Sequence, residues 1–466
     1  MFTFTPGIRK VHFIGIGGIS MSGLAEILLK EGFSISGSDR SASGLTEHLA
    51  SLSVPIAIGH SAANIPADTD LVVYTAAIKG DNPELQAALA RGIQTIDRAT
   101  LLGALMRRYD VSIAVAGTHG KTTTTGMITQ ILLHAGKDPS LSFGGILPSI
   151  HSNVRHGKSP YFVMEACEYC DSFLQFYPHI AVILNIEADH LDYFEDYAQI
   201  QRSFRRFAEN IDHDGLLVIN GQTPGLGFIT GGLKPQVITY DGPAADWQAA
   251  DVSYDSQGRP SFTALHKGTA MGRVTLSVLG LHNVSNALAA IAVTSALGLS
   301  FIEIRQGLAS FTGTARRFET KGRVREVTIV DDYAHHPTEI RATLAAAKNA
   351  GYGRVVCVFQ PHTYTRTQAL LPELAQAFAN ADETIIVDIY AAREPDNGLI
   401  HAKDLAEAIG QTGASVRYLP SFAAAEKFFW QTSIPNDLWI TMGAGDVYLI
   451  GESILRTGLS TLSTDF

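Results

Sequence analysis

Residues 111–136 read VSIAVAGTHGKTTTTGMITQILLHAG, and this stretch decides the fold. A run rich in β-branched and small apolar residues, a glycine turn and an amphipathic helical pattern follow one another. In a strand–turn–helix of this kind the backbone N–H groups of the turn point inward and cradle an anion. The helix N-terminus adds partial positive charge. Lys121 can reach the β- and γ-phosphates of a nucleotide, and Thr122 can offer its hydroxyl to Mg2+. The spacing departs from GxxxxGK[ST], because position 115 is Val and the first glycine is Gly117. A chance Gly-Lys-Thr in a loop is the competing explanation, and the flanking strand and helix favour the nucleotide loop.

The pattern recurs outward from there. KVHFIGIGGISMSGLAEILLKEGF starts at Lys10, with Gly15, Gly17 and Gly18 in the turn and Ser20 where a dinucleotide fingerprint has its third glycine. Asp39 follows about 24 residues after Gly15, where an acid can bond a ribose hydroxyl or a base. Tight-turn geometry alone also explains these glycines, and a nicotinamide oxidoreductase is a second reading of the loop. A third alternation follows FTGTARRFE at Phe311: VTIVDDYAHHPTE from Val327, RVVCVFQPHTYTRT from Arg354 and LWITMGAGD from Leu438. The GAGD turn at Gly443 lacks a lysine and reads as a plain βα turn. This alternation predicts α/β architecture with mainly parallel sheets, in three domains at 1–106, 107–313 and 314–466. Residues 221–272, rich in Gly, Pro and Asp, predict short strands and surface loops at one edge of the middle domain.

Composition excludes several classes. Over 466 residues, 46% are hydrophobic and 17% charged, which is globular and not disordered. Thirty-five Lys+Arg against 45 Asp+Glu leave a net charge of −10, so no global basic field gathers nucleic acid. Three cysteines exclude a disulfide framework and fit a reducing compartment. The start MFTFTPGIRKVHF lacks a secretory pattern, and the apolar stretch 287–301 is shorter than the roughly 20 residues that span a bilayer. The expectation is a cytoplasmic protein without membrane insertion.

Glu165 closes the apolar run YFVMEA, and His190 follows IAVILNIEAD; in a parallel sheet both fall at the edge that carries the Gly117 loop. A carboxylate and an imidazole there can complete Mg2+ coordination beside phosphates, although a capping or core role explains His190 equally well. Cys167 and Cys170 form a C-x-x-C with no second pair to complete a zinc site, which favours incidental use over a reversible disulfide. Asn283 and Asn286 in LHNVSNALAA cap a helix or, with His282, contact an adenine. Either Arg316 or Arg317 can bind a phosphate or form a surface ion pair. His335, His336, His362, Tyr364 and Arg366 follow two strands of the third block, again at a ligand edge.

HFIGIGGISMSGLA, GTHGKTTTT, EACEYCDSF, NIEADHLDYF, GLHNVSNALAA, TGTARRFE, DDYAHHPTE and FQPHTYTRT, in this order, resemble the Mur ligases, ATP-dependent amide-forming enzymes of bacterial cell-wall synthesis. The resemblance covers the whole chain. It implies a Rossmann-like N-terminal domain for a UDP-sugar, a central P-loop-type ATPase domain, and a Rossmann-like C-terminal domain that closes on ATP and amino acid. It further implies ATP and Mg2+ as cofactors, UDP-N-acetylmuramate and L-alanine as substrates, no nucleic-acid partner, and a monomer or homodimer. Gly17, Gly18, Ser20 and Asp39 would lie at the UDP group. Gly117, Thr118, His119, Gly120, Lys121, Thr122 and Thr123 would bind ATP, with Asn283 and Asn286 by the adenine and Arg317 and Asp332 reaching the nucleotide. Thr122, Glu165 and His190 would hold the metal. His335, His336 and Arg366 would face the amino-acid and lactyl groups. Lys121, His190, Arg317 and His336 would carry the chemistry. Two features depart from many members: no lysine occurs between Tyr197 and Asn210 to be carbamoylated, and EACEYC places Cys167 where a carboxylate is expected.

Overall fold

The computed structural model describes residues 2–75, 77–190, 193–392, 394–396 and 398–462. They pack as two compact units. The first comprises Met1–Glu187, Ala198–Asp246 and Ala289–Gly307; the second comprises Ala188–Tyr197, Trp247–Leu288 and Leu308–Phe466.

The first unit holds two sheets. Five parallel strands lie in the order Ile56–Ile58, Ser34–Asp39, Lys10–Ile14, Leu71–Tyr74 and Gln94–Asp97. The order reverses at Lys10–Ile14, and in such a sheet ligands bind beyond the carboxyl ends at the reversal. Phe13, Ile14, Val72 and Val73 are buried in a row because helices cover both faces. The second sheet runs Gln236–Tyr240, Leu216–Asn220, Ile180–Ile183, Val111–Ala116, Tyr161–Ala166, Ser140–Leu147 and Ser152–Arg155, parallel except for the last pair.

The central strand Val111–Ala116 leads through the Gly117 turn into the helix Lys121–His134. That helix is buried on more than the one stripe its sequence predicts: Thr124, Thr125 and Thr129 are as inaccessible as Met127 and Ile131. Part of the reason is Gly307, where an added Cβ would lie 2.6 Å from the Ile131 Cα, so a second helix presses directly onto this one.

In the second unit, six strands lie in the order Glu319–Val324, Val327–Asp332, Asp437–Met442, Arg354–Phe359, Glu383–Ile386 and Val416–Tyr418. The first pair is antiparallel and the others are parallel. Trp247–Tyr254, Pro260–His266 and Thr269–Thr275 form an antiparallel meander of seven- and eight-residue strands, longer than the composition of 221–272 suggests. Alternate residues Phe262, Ala264 and Val274 point inward, a half-buried pattern that scattered Gly and Asp obscure. Among the described residues, no helix is long and apolar enough to cross a membrane.

Candidate active site

In the first unit the Gly117 loop is shaped by the chain beside it. Gly117 has φ +140°, and a Cβ there would approach the Leu184 Cβ to 2.9 Å. Asn185 clamps the loop from the neighbouring strand's end. Its carbonyl accepts from the Thr118 N–H (3.1 Å), its Oδ1 accepts from the His119 N–H (2.7 Å), and its Nδ2 donates to the His119 carbonyl (3.1 Å). Gly120, at φ +82°, turns the chain into the helix, so Lys121, Thr122 and Thr123 supply its first turn.

The Lys121 ammonium is not idle in this cradle. It donates to the Gly117 and Thr118 carbonyls and lies 3.0 and 3.3 Å from the two oxygens of Glu168. Glu168 is 2% exposed. Burial alone would lower Lys121, but the Glu168 carboxylate, with Glu165 adding to it, outweighs burial and holds the ammonium well above the ordinary lysine value. Cys167 lies in the same environment, and burial, aided by Glu168, pushes its thiol up to about 11. The departure from the expected carboxylate therefore places a neutral thiol beside Lys121, with the neighbouring Glu168 supplying the charge. Glu165, at the end of its strand, accepts the Gly144 N–H at 3.0 Å, and Thr122 is buried. A hydroxyl and a carboxylate at one sheet edge are hard oxygen donors of the kind Mg2+ takes.

The Gly15 loop in the same unit is held by strand Ser34–Asp39. The Ser38 carbonyl accepts from Gly15 and Ile16, and Asp39 Oδ2 accepts from the Gly17 N–H at 2.8 Å. A Cβ at Gly17 would meet Asp39 Oδ2 at 2.9 Å and Thr46 Cγ2 at 2.8 Å, so a larger residue would push both side chains aside. Gly18 precedes the helix Ile19–Lys30, and Ser20 accepts from Arg98 Nη1 at 2.9 Å. Behind the strand lies Glu84, fully buried. It is bonded by His12 (2.9 Å), Ser38 (2.7 Å), His60 (3.0 Å) and Asn64 (2.9 Å). Burial pushes its carboxyl up, but these four partners outweigh burial and bring it down to about 2.

The second unit gathers another group around Asp189. Its Oδ1 accepts from Arg366 Nε (3.2 Å) and Nη2 (3.1 Å) and from the His190 N–H (2.7 Å). Burial raises Asp189, yet Arg366, His190 and His335 hold it well below the usual carboxylate range. Arg366 Nη1 also lies 3.0 Å from His362 Nδ1. Burial, with Arg366 nearby, pushes both His335 and His362 down to about 4, so both rings are neutral at pH 7.

The segment HHPTE is a helix start: His336 accepts from the Thr338 N–H, Pro337 opens the helix Pro337–Lys348, and Glu339 reaches back to the His335 and His336 N–H groups. Glu339 also faces Arg317 at 3.5 Å. Arg316 and Arg317 are thereby distinguished. Arg316 pairs with buried Asp331 at 2.9 Å, donates to the Gly443 carbonyl, and lies between the rings of Tyr333 and Tyr448. That is a structural strut; Arg317, almost equally shielded, faces Glu339 and lies over the Tyr333 ring. Asp332 turns its carboxylate to the N–H groups of Phe318 and Ala334, both at 2.8 Å, and burial pushes it up to about 6. Asn283 and Asn286 are buried on one helix face and bonded to each other at 2.9 Å.

Thr122 and Glu165 thus lie on the first unit and His190 on the second. Sequence reading missed the clamp Asn185, the counter-charge Glu168, the buried Glu84 and the cap Glu339. Only Glu339 has a local signal, three residues after the capping His336.

Two strand–Gly-turn–helix units, one of them followed by Lys-Thr, define an α/β protein of the nucleotide-loop class. Comparison with known proteins narrows this. Residues 10–110 match the Mur ligase family catalytic domain, 115–294 the Mur ligase middle domain, and 316–445 the Mur ligase glutamate ligase domain. A UDP-N-acetylmuramate–L-alanine ligase of Agathobacter rectalis is 53% identical over 447 residues, 96% of this chain and 97% of its own. The ligase of the same name from Acetivibrio thermocellus is 51% identical, with 96% of each chain covered. The crystal structure of UDP-N-acetylmuramate–alanine ligase from Thermotoga maritima superposes with a TM-score of 0.82 at 29% identity, covering 97% of this chain and 99% of that one. A murein peptide ligase from Psychrobacter arcticus gives 0.70 at 28% identity, over 97% and 98%. The chain belongs to the Mur ligase family.

Proposed function

We propose that this chain joins L-alanine to the lactyl carboxylate of UDP-N-acetylmuramate, with ATP converted to ADP and phosphate, in the cytoplasmic synthesis of peptidoglycan precursors. The observation that carries this reading is identity near 50% over almost the whole chain to ligases of that name. Residues 1–106 would bind the UDP-sugar, 107–313 ATP, and 314–466 the amino acid and the nucleotide's far side, in a monomer or homodimer. Gly17, Gly18, Ser20 and Asp39 form the sugar-nucleotide end, and the Gly117–Thr123 loop, Asn283, Asn286, Arg317 and Asp332 the ATP end.

A carboxylate is a poor electrophile, so it must first be activated. A lactyl oxygen attacks the γ-phosphorus, the bond to the β-phosphate oxygen breaks, and an acyl phosphate and ADP result. Lys121 neutralises charge that accumulates on the transferring group. Thr122, Glu165 and His190 would hold Mg2+, which supplies further neutralisation of phosphate charge. The alanine nitrogen then attacks the acyl carbon, the carbon–oxygen bond to phosphate breaks, and the nitrogen gives up a proton. His190 would be committed to Mg2+ and His335, held at about 4, is a weak base, so His336 would accept that proton. Arg366 and His335 would orient the two carboxylates.

Phosphate release by purified protein with Mg-ATP and UDP-N-acetylmuramate tests this. The expected result is release that requires L-alanine. Release only with a tripeptide acceptor would make the chain a murein peptide ligase, and the absence of release with every acceptor tried would refute ligase activity.

A further inference from the structure

The Gly15 loop presents a difficulty for a doubly charged diphosphate. Its N–H groups are already committed: Gly15 and Ile16 to the Ser38 carbonyl, Gly17 to Asp39, Gly18 to the Gly15 carbonyl. The Asp39 carboxylate adds a negative charge at the loop. Between Val11 and Leu29 the sequence has no Lys or Arg. What remains is the first turn of the helix Ile19–Lys30, whose partial charge alone is a weak counterpart to two full negative charges.

Arg98 supplies what the loop lacks. It follows the last strand of the five-stranded sheet, Gln94–Asp97, at the sheet's carboxyl edge, and opens the helix Arg98–Met106. Its guanidinium is half-buried and spends one donor, Nη1, on Ser20 Oγ at 2.9 Å, in the first turn of the loop's helix. Resting on the UDP-sugar reading above, the geometry points to Arg98 as the cation that binds an oxyanion of the sugar nucleotide, next to Ser20 at the Gly15 loop. A guanidinium with its fork fixed at one corner suits a phosphate or a carboxylate, and both groups belong to the same substrate.

Binding of uridine, UDP and UDP-N-acetylmuramate to wild-type, Arg98→Gln and Arg98→Lys protein, by calorimetry and, for uridine, ligand-observed NMR, tests the assignment. Arg98→Gln is expected to weaken UDP and UDP-N-acetylmuramate by about tenfold or more while leaving uridine unchanged. Arg98→Lys should recover part of the loss, because it keeps the charge without the fork. A loss confined to UDP-N-acetylmuramate would assign the contact to the lactyl carboxylate in place of the diphosphate. Equal losses on all three ligands, or none, would overturn the assignment, since a structural role weakens uridine too. Wild-type protein that binds none of the three overturns the UDP-sugar reading itself, a separate failure. If Arg98→Gln does not fold, Arg98→Met carries the same comparison with the side-chain stem retained.

Discussion

Replacing Glu168 with Gln removes the carboxylate that faces Lys121 and leaves a buried ammonium without its counter-charge. At 3.0 Å and an effective dielectric near 20, the pair interacts by about 5 kcal/mol. Both side chains are well shielded, with 16% and 3% exposed, and breaking such a pair from one side costs about 3–5 kcal/mol. The ligand-free variant should therefore melt several degrees below wild type. A nucleotide phosphate restores the missing negative charge, and in wild type that phosphate must instead share Lys121 with Glu168. Mg-ATP should thus stabilise the variant more than wild type, with ATP binding tightened by about tenfold, roughly 1.4 kcal/mol of the lost interaction. Thermal unfolding across an ATP series reads both effects. Adding Lys121→Met to Glu168→Gln should recover much of the stability, because no orphaned charge is left. An equal deficit with and without ATP, or weaker ATP binding in Glu168→Gln, would refute the argument.

Lys121→Ala should lower phosphate release in the ligase assay by about a hundredfold or more, as loss of a donor to a developing phosphoryl charge does. Glu84 titrates near 2 in the fold against an ordinary 4.5, so the stability it contributes is present above pH 4.5 and disappears as pH falls through about 2. That contribution is about 3 kcal/mol, and Glu84→Gln should flatten the acid limb of a denaturation series. Asp332 has the opposite sign: raised from 3.8 to about 6, it contributes below pH 3.8, and the contribution is lost as pH rises through 6. Asp332→Asn should be more stable relative to wild type at pH 7 than at pH 4. Arg316→Ala strands the buried Asp331 and should cost about 3–5 kcal/mol in urea unfolding, whereas Arg317→Ala should change stability by about 1 kcal/mol or less and act on turnover.

The α/β architecture was legible because its signals are local. A β-branched run, glycines that permit positive φ and a helical pattern occupy adjacent residues, and the strand Val111–Ala116 and helix Lys121–His134 lie where that pattern puts them. The same holds at Lys10–Ile14 and Ile19–Lys30. Where turn residues are interspersed with strand residues, as in 221–272, composition hid strands that only alternate burial reveals.

By itself the sequence determined which elements form, and it presented the glycine loops, Lys121, Thr122, Glu165 and the histidines as the residues able to do phosphate chemistry. Tertiary structure decided how each is held. Lys121 meets Glu168 across 47 positions, Ser20 meets Arg98 across 78, and Arg366 meets Asp189 across 177. It also gave adjacent Arg316 and Arg317 different carboxylate partners, Asp331 and Glu339. No spacing rule reaches so far: the first two pairs exist only once parallel strands bring their carboxyl ends to one edge, and the third joins loops that follow strands of two different sheets. Their charges, moreover, are set by burial, which a sequence does not carry.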